Sequence, residues 1–571
     1  MKTDKENKMQ MTKWIMIIVG VVAIVVGITA GLLVGNARNK AKEQAAAEAF
    51  LAEVEALMQS GKDAYHGTDT VTKDLAKASE HFTQALEKGD VRANYYLGRI
   101  AEESKDYAKA KEYYEQCIAS ETDTVSDLSR FALGQLYQYG NGVDVDYAKS
   151  KEYYELAIAN GCVEANNGLG DLYQQGYDVE QDGAKAIEYF TLAAQGNEKD
   201  WVAYAHLSMG VIYAGKYPNV TQDYAKAMEN YEKAATLGDA SAMNRIGVMY
   251  ADGIGVEQDY AKAMEYYERA SALNNSDAMA NMGITYYNGF GGFEQDYGKA
   301  VEWYEKAAAL DNARAMNSIG VMYHDGVGVE QDYAKAKEYY ERAIALDNVN
   351  AMYNLGNLYA GGKGVEQNYT TALEWFEKAA EKDDASAMEA IASLYLNGNG
   401  VEADWTKALE WYEKAYEHGE ADSSGVIGMI YELGQYGVAA DYEKAIEWYE
   451  KYSEEYGNSY GYERIASMYY SGNGVKQDYT KAFTYYEKAA EMESAGATAW
   501  LAVLYFAGDG VAKDYAKAME LGLKAYELGS PDGAYLVSIL YEEGYGVERD
   551  AAKAAEWNEK YEALKAEQEQ Q

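Results

Sequence analysis

Proline is nearly missing from this 571-residue chain, which holds two in all, and no Pro-rich or Gly/Ser-rich stretch interrupts it. A length that would ordinarily imply several domains therefore reads as one continuous array. Cysteine is equally scarce: Cys117 and Cys162 form no CxxC pair and hold different places in the repeat unit described below. Two thiols in so long a chain exclude a disulfide framework, and both are expected to be unpaired. The five histidines, His66, His81, His206, His324 and His418, are dispersed, with no HExxH and no grouping with cysteine. No zinc site follows from that pattern. Positive charge is also in deficit, at a net −42. Residues 1–42 carry seven bases against two acids, leaving 44 bases and 91 acids, or −47, for the rest. Such a surface repels nucleic acid and anionic lipid and favours neutral or basic protein partners.

One long hydrophobic run is present. Trp14 to Val34 carries no charge over 21 residues; at about 1.5 Å per residue it reaches roughly 31 Å, enough to cross a bilayer once. It exceeds the core of a cleaved signal peptide, so an uncleaved anchor is expected, although Gly35-Asn36-Ala37 resembles a cleavage site. Lys2, Lys5, Lys8 and Lys13 precede the run and Arg38, Lys40 and Lys42 follow it. The short, slightly more basic tail favours a cytoplasmic N-terminus and an extracytoplasmic body. Residues 39–58 are rich in Ala, Glu and Lys and predict a helical stalk.

Beyond the stalk the chain repeats itself. A tag reading Asp-Tyr-x-Lys-Ala begins at Asp74, Asp106, Asp146, Asp182, Asp223, Asp259, Asp296, Asp332, Asn368, Asp404, Asp441, Asp478, Asp514 and Asp550, and from Asp223 onward the step is always 36 or 37 residues. Such self-similarity implies stacked supersecondary units. In residues 240–274, Tyr260, Ala263, Met264, Tyr267, Ala270 and Ser271 share one face of a helix opposite Lys262, Glu265 and Arg269, while Ala242, Ile246, Met249 and Tyr250 line a preceding helix. Asp259 stands where an N-cap belongs. Gly247 recurs as Gly134, Gly170, Gly210, Gly283, Gly320, Gly356 and Gly428, with Ala392, Ala466 and Ala502 elsewhere. A helical glycine costs up to about 1 kcal/mol, so its recurrence implies a neighbour approaching too closely for a larger side chain. Gly253 and Gly255 in the intervening loop predict positive φ.

Units reading A-x-A-x-x-x-L/I-G-x-x-Y, then G-x-G-V, then D-Y-x-K-A-x-E-Y/W-Y-E-K-A-A closely resemble the Sel-one-like repeat (SLR) family, relatives of tetratricopeptide repeats, over roughly residues 60–560. The unit at Asp106 lacks the loop glycines and is more similar to a plain tetratricopeptide repeat. The resemblance implies an all-α, α/α superhelical solenoid with a concave partner-binding groove, and adaptor roles. The organisation expected is a basic tail (1–13), a transmembrane helix (14–34), a helical stalk (35–60), the solenoid (61–560) and a polar C-terminal tail (561–571).

No catalytic constellation accompanies the repeats. Residues 457–461 match G-x-S-x-G but fall between two helices, where a nucleophile elbow needs a strand before it. Acidic loops such as 325–330 lack the D-x-D-x-D-G order of a calcium loop. Trp303, Trp375, Trp411, Trp448 and Trp557 stand seven residues after the tag, on the flank of the buried stripe; Met243, Met279, Met316, Met352 and Met388 follow a core alanine. Both series read first as packing. Solvent-facing first-helix positions that differ between units, Asn244, Arg245, Asn281, Asn317, Tyr353, Asn354 and Arg464, are the candidate partner-binding residues. The expectation is a single-pass anchored scaffold that binds proteins or peptides, without cofactor, metal or nucleic acid. A glycan-binding envelope protein is the alternative. A β-lactam-binding or hydrolysing enzyme is a further one, implied by a cysteine-rich branch of the family whose paired cysteines this chain lacks.

Overall fold

A computed structural model describes residues 37–67, 72–119 and 124–568, with side chains from residue 47 onward. The expected membrane span at 14–34 lies outside them. Among the described residues there are 28 α-helices and two short 3-10 turns, no strand, and no helix long and apolar enough to cross a membrane. They divide into two compact units, with the first ending at Ala278 and the second beginning at Met279.

Each repeat is a helix pair whose ends are closed by its own loop residues. In residues 240–271 the first helix, Ala240–Asp252, starts under Asp239, whose carboxylate accepts from the Ala242 N–H at 2.6 Å. It stops at Gly253, which takes the left-handed conformation (φ 68°) that glycine adopts without a steric penalty. The Gln258 amide donates to the Ala251 carbonyl at 2.7 Å, capping a free helix end. Asp259 then accepts from the Lys262 N–H at 3.0 Å and starts the second helix, Tyr260–Ser271. The same cap forms at Asp74, Asp106, Asp146, Asp332, Asp404 and Asp550, among others, and Asn368 does it equally well. Asp332→Ala is therefore expected to lower stability by about 1 kcal/mol in thermal or urea unfolding, whereas Asp332→Asn stays near wild type. Equal loss in both would show that the charge, not the acceptor, matters.

The recurrent helical glycine has a specific neighbour. Every one tested meets the aromatic ring eight residues into its repeat's tag: a Cβ on Gly247 would stand 2.5 Å from the Tyr267 ring, and one on Gly320 2.5 Å from that of Tyr340. Gly61 with Phe82, Gly98 with Tyr114, Gly170 with Phe190 and Gly356 with Phe376 repeat the arrangement. What crowds the glycine first is thus a side chain, buried to 2 % exposure at Tyr340, and at Gly247 the backbone of the neighbouring helix is close as well, with the Ala263 carbonyl oxygen 3.1 Å from the added Cβ. The loop glycine Gly255 has a double requirement. Its φ is +73°, and a Cβ there would sit 2.3 Å from Cβ of Tyr224, the tag tyrosine of the preceding repeat.

Helix Ala37–His66 crosses the boundary drawn at residue 60. Its later turns bury Met58, Ala64 and Tyr65 in a core shared with Phe82, Ala85 and Leu97, so they serve as the first helix of the first repeat. The irregular spacing near Glu198 to Trp201 is absorbed by a longer first helix, Lys199–Ala214. Met243, Met316, Met352 and Met388 are buried, as core filler should be.

Between repeats the chain turns through one residue with positive φ. Gly89, Gly238 and Gly419 supply it in some units, but Asp311, Asp347, Asp383 and Glu493 do so in others. Glu493 is exposed, at φ 61°. A β-carbon there costs roughly 1 kcal/mol, part of which glycine's greater unfolded freedom gives back. Glu493→Gly is expected to raise stability by about 0.5 kcal/mol, read as a higher urea midpoint; a lower midpoint would mean that the Glu493 side chain contributes something its exposure hides.

Candidate partner-binding surface

The seven first-helix residues do not gather into one pocket. Arg245 is exposed and Asn244 half-buried on helix Ala240–Asp252 of the first unit. In the second unit four of the others, Asn281, Asn317, Asn354 and Arg464, bridge consecutive repeats. Arg314 Nη2 donates to Asn281 Oδ1 at 2.8 Å, and Asn354 Nδ2 to Asn317 Oδ1 at 2.9 Å. Arg464 reaches back to Glu432, with Nε at 3.3 Å and Nη2 at 2.5 Å, and Glu432 also accepts from the Tyr449 hydroxyl at 2.7 Å. Tyr353 is half-buried with its ring 5.8 Å from that of Phe376. The arrangement is a row of polar side chains, in which first helices of successive repeats lie within hydrogen-bond reach of one another.

The sequence reading placed the tag lysine on the solvent side and gave it no task. In the structure Lys262 Nζ lies 5.0 Å above the ring of Tyr250 at the end of the first helix, and 3.6 Å from the cap carboxylate of Asp259. Lys149 over Tyr137, Lys299 over Tyr286, Lys335 over Tyr323 and Lys407 over Tyr395 repeat the pair. The signal was legible as the joint recurrence of a tyrosine closing the first helix and a lysine three residues into the second. A second cation–ring series runs along the second helices: Lys306 stands 3.7 Å over Trp303, Lys378 3.8 Å over Trp375 and Lys414 4.1 Å over Trp411. These tryptophans also pack partly buried against the repeat cores. A lysine already occupies one ring face, which leaves less of the indole for stacking on a sugar.

Ser459, His206, His324 and the two cysteines lie in separate surroundings. Ser459 immediately precedes helix Tyr460–Ser471 and its hydroxyl donates to Glu463 Oε1 at 3.1 Å, with no histidine on it. His206 Nδ1 pairs with Asn230 Oδ1 at 3.0 Å, and His324 Nδ1 with Asp325 Oδ1 at 2.5 Å. Cys117 and Cys162 are both buried and form no disulfide among the described residues, and burial pushes the Cys162 thiol up to about 12, far from a reactive thiolate. Among the described residues four carboxyls depart upward, Glu102, Asp171, Glu389 and Glu413, each first through burial. Burial, against hydrogen bonds from Tyr204, Gln138 and Tyr139, holds Asp171 at about 7; burial and the charges of Asp422 and Glu420 bring Glu389 to about 7.

The Sel1 repeat matches this chain in thirteen segments: 54–90, 128–162, 163–198, 203–239, 240–275, 276–312, 313–348, 349–384, 385–420, 426–454, 459–494, 495–530 and 531–560. The chain belongs to the Sel1 repeat family. A tetratricopeptide repeat matches residues 91–124, the unit of Asp106. Among solved structures, the chain is similar to c5321, described as a protective antigen of uropathogenic Escherichia coli with an SLR fold, at 27 % identity over 81 % of this chain and 97 % of that one, with TM-score 0.47. A Sel1 repeat protein from Oxalobacter formigenes is 31 % identical over 39 % of this chain and 92 % of its own, with TM-score 0.36. An immunity protein, Pa5087, from Pseudomonas aeruginosa is 22 % identical over 38 % and 82 %, with TM-score 0.29. No curated protein matches the chain. Proteins built of Sel1 and tetratricopeptide repeats generally mediate protein–protein interaction, and Sel1 proteins are typically scaffolds without catalysis.

Proposed function

We propose that this Sel1 repeat chain is a membrane-anchored scaffold that recruits protein partners along the first-helix face of its repeats. The observation that carries the reading is a division of labour within each unit. Caps, the glycine–ring interlock and the lysine–tyrosine pair are repeated, while the polar first-helix positions change from Asn244 and Arg245 to Asn317, to Tyr353 and Asn354, and to Arg464. A surface that varies over a constant core is suited to reading different parts of an extended partner. The acid excess of the body favours neutral or basic partners and speeds their encounter.

Photo-crosslinking in cells tests the surface. A crosslinker at Arg245 or Asn354 is expected to trap discrete protein adducts, and one at the exposed second-helix residues Glu265 or Glu338 far fewer. The reverse pattern would move the binding face to the second helices. The anchoring proposal, with residues 14–34 as a single span and the body outside the cytoplasm, is tested by protease protection of intact spheroplasts carrying a C-terminal tag. Digestion supports that side, and protection with cleavage after permeabilisation reverses it.

A further inference from the structure

The repeat pattern breaks in the second unit around residues 442–461. Eleven residues after the tag aspartate, most other units place a buried alanine, as at Ala307, Ala343, Ala379 and Ala415; this one places Tyr452. Its second helix, Tyr442–Glu455, is longer than Tyr333–Ile344. The added length brings three tyrosines together. Tyr452 stacks on Tyr456 with centroids 5.3 Å apart, and Tyr460 meets Tyr452 edge-on at 6.5 Å. Tyr456 and Tyr460 are 51 % and 47 % exposed. Space for Tyr452 comes from Gly425, whose Cβ would stand 3.1 Å from the ring. On the first helix Gly425 occupies the position held by Asn317, Tyr353 and Glu389 in the three preceding repeats.

Charge of one sign adjoins these rings. Asp422, three residues before Gly425, opens helix Ser423–Leu433 without using its side chain as a cap, and its charge is felt at Tyr452. Carboxylate oxygens of Glu389, Glu420 and Asp422 lie within 4.8 Å of one another. Ser386 donates to Glu420 at 2.6 Å, and no basic side chain of the described residues ion-pairs with any of the three. At Trp303, Trp375 and Tyr323 the chain covers an aromatic face with one of its own lysines. Among the described residues, Tyr452, Tyr456 and Tyr460 have no such cover.

We propose that Tyr452, Tyr456 and Tyr460, together with Glu389, Glu420 and Asp422, receive a lysine or arginine side chain presented by a basic segment of a partner protein. The proposal rests on the scaffold reading and names the chemistry of one contact within it. Ring faces attract a cation, and the adjoining carboxylates accept its charge-assisted hydrogen bonds. An arginine fits both at once, since its plane stacks on tyrosine while its edge bonds a carboxylate. Burial first, and then the charges of Asp422 and Glu420, hold the Glu389 carboxyl up near 7, and a cation would relieve the second of these. A divalent ion would use the carboxylates and gain nothing from the rings.

The test uses the full chain and a short fluorescent peptide of alternating arginine and serine, followed by anisotropy at physiological salt. Glu389→Gln with Asp422→Asn, and separately Tyr456→Ala with Tyr460→Ala, are each expected to weaken binding about tenfold. Glu302→Gln with Glu338→Gln removes two carboxylates at exposed second-helix positions and is expected to weaken it less than about twofold. Circular dichroism checks that each variant is folded. Equal loss in the control pair would mean diffuse attraction to an acidic body, loss with the carboxylates but not the rings would mean an inorganic cation site, and no binding by wild type would remove the site; each overturns the proposal. None of these bears on crosslinks at Arg245 or Asn354, by which the scaffold reading stands or falls separately.

Discussion

Replacing Tyr340 by alanine is expected to destabilise the second unit by about 3–5 kcal/mol, the range for deleting a large buried ring. The ring is 2 % exposed and fits against Gly320, where a β-carbon would lie 2.5 Å from it. No neighbour can collapse into the space without tearing helix Ala313–Asp325 from helix Tyr333–Ile344. Because repeats couple chiefly to their neighbours, hydrogen exchange should show protection lost around residues 313–344 and much less near Tyr515. The complementary change, Gly320→Val, overfills the same joint and should cost a comparable amount by forcing the ring out. Gly320→Ala should cost less, since Ala392 and Ala466 already face Tyr412 and Tyr486 at 0 % exposure in sister repeats. A loss under 1 kcal/mol for Tyr340→Ala would show that the interlock is a packing convenience and that stability resides in the caps.

The second large effect is on pH. Asp171 and Glu389 are held near 7 in the fold, against about 4 in an unfolded chain. A carboxyl whose folded pKa is raised binds more protons in the native state, so stability grows as pH falls from above 7 toward 4. The cap carboxylates of Asp146, Asp182, Asp223, Asp259 and Asp296 behave oppositely. Each is held below its ordinary range, first by the backbone N–H of the lysine three residues on. Their contribution is complete above about 4, the unfolded value, and is lost as pH falls through their depressed folded values. The thermal midpoint should therefore rise between pH 8 and about 5 and fall steeply below about 4. The double variant Asp171→Asn, Glu389→Gln should lose most of the rise and keep the fall. A rise of undiminished size in that variant would assign it to the general acidic charge of the chain.

Periodicity carried most of the fold into view, for a physical reason. A solenoid uses the same local solution in every unit, so caps, loop glycines and buried stripes recur at a spacing that one chain displays without any relative for comparison. Asp259 as a cap and Gly253 and Gly255 at positive φ were legible because each is a local requirement, met within a few residues. The surface was less legible. Asn317 and Arg464 looked like free polar groups, yet they bond Asn354 and Glu432 in adjoining repeats, about 37 and 32 residues away. Nothing in one unit reports which side chain of the next will reach it.

By itself, then, the sequence determined the repeated helix pairs, the caps and turns, and the acidity of the surface, because each depends on interactions within a single repeat or on composition. Tertiary structure alone decided what crowds Gly247, what the tag lysine covers, and which of the polar row are tied to each other. It alone brought Tyr452, Tyr456 and Tyr460 beside Glu389, Glu420 and Asp422. Those outcomes depend on how one helix is set against another, within a repeat or between repeats, and that geometry arises from packing volume and helix length, to which no short run of residues answers.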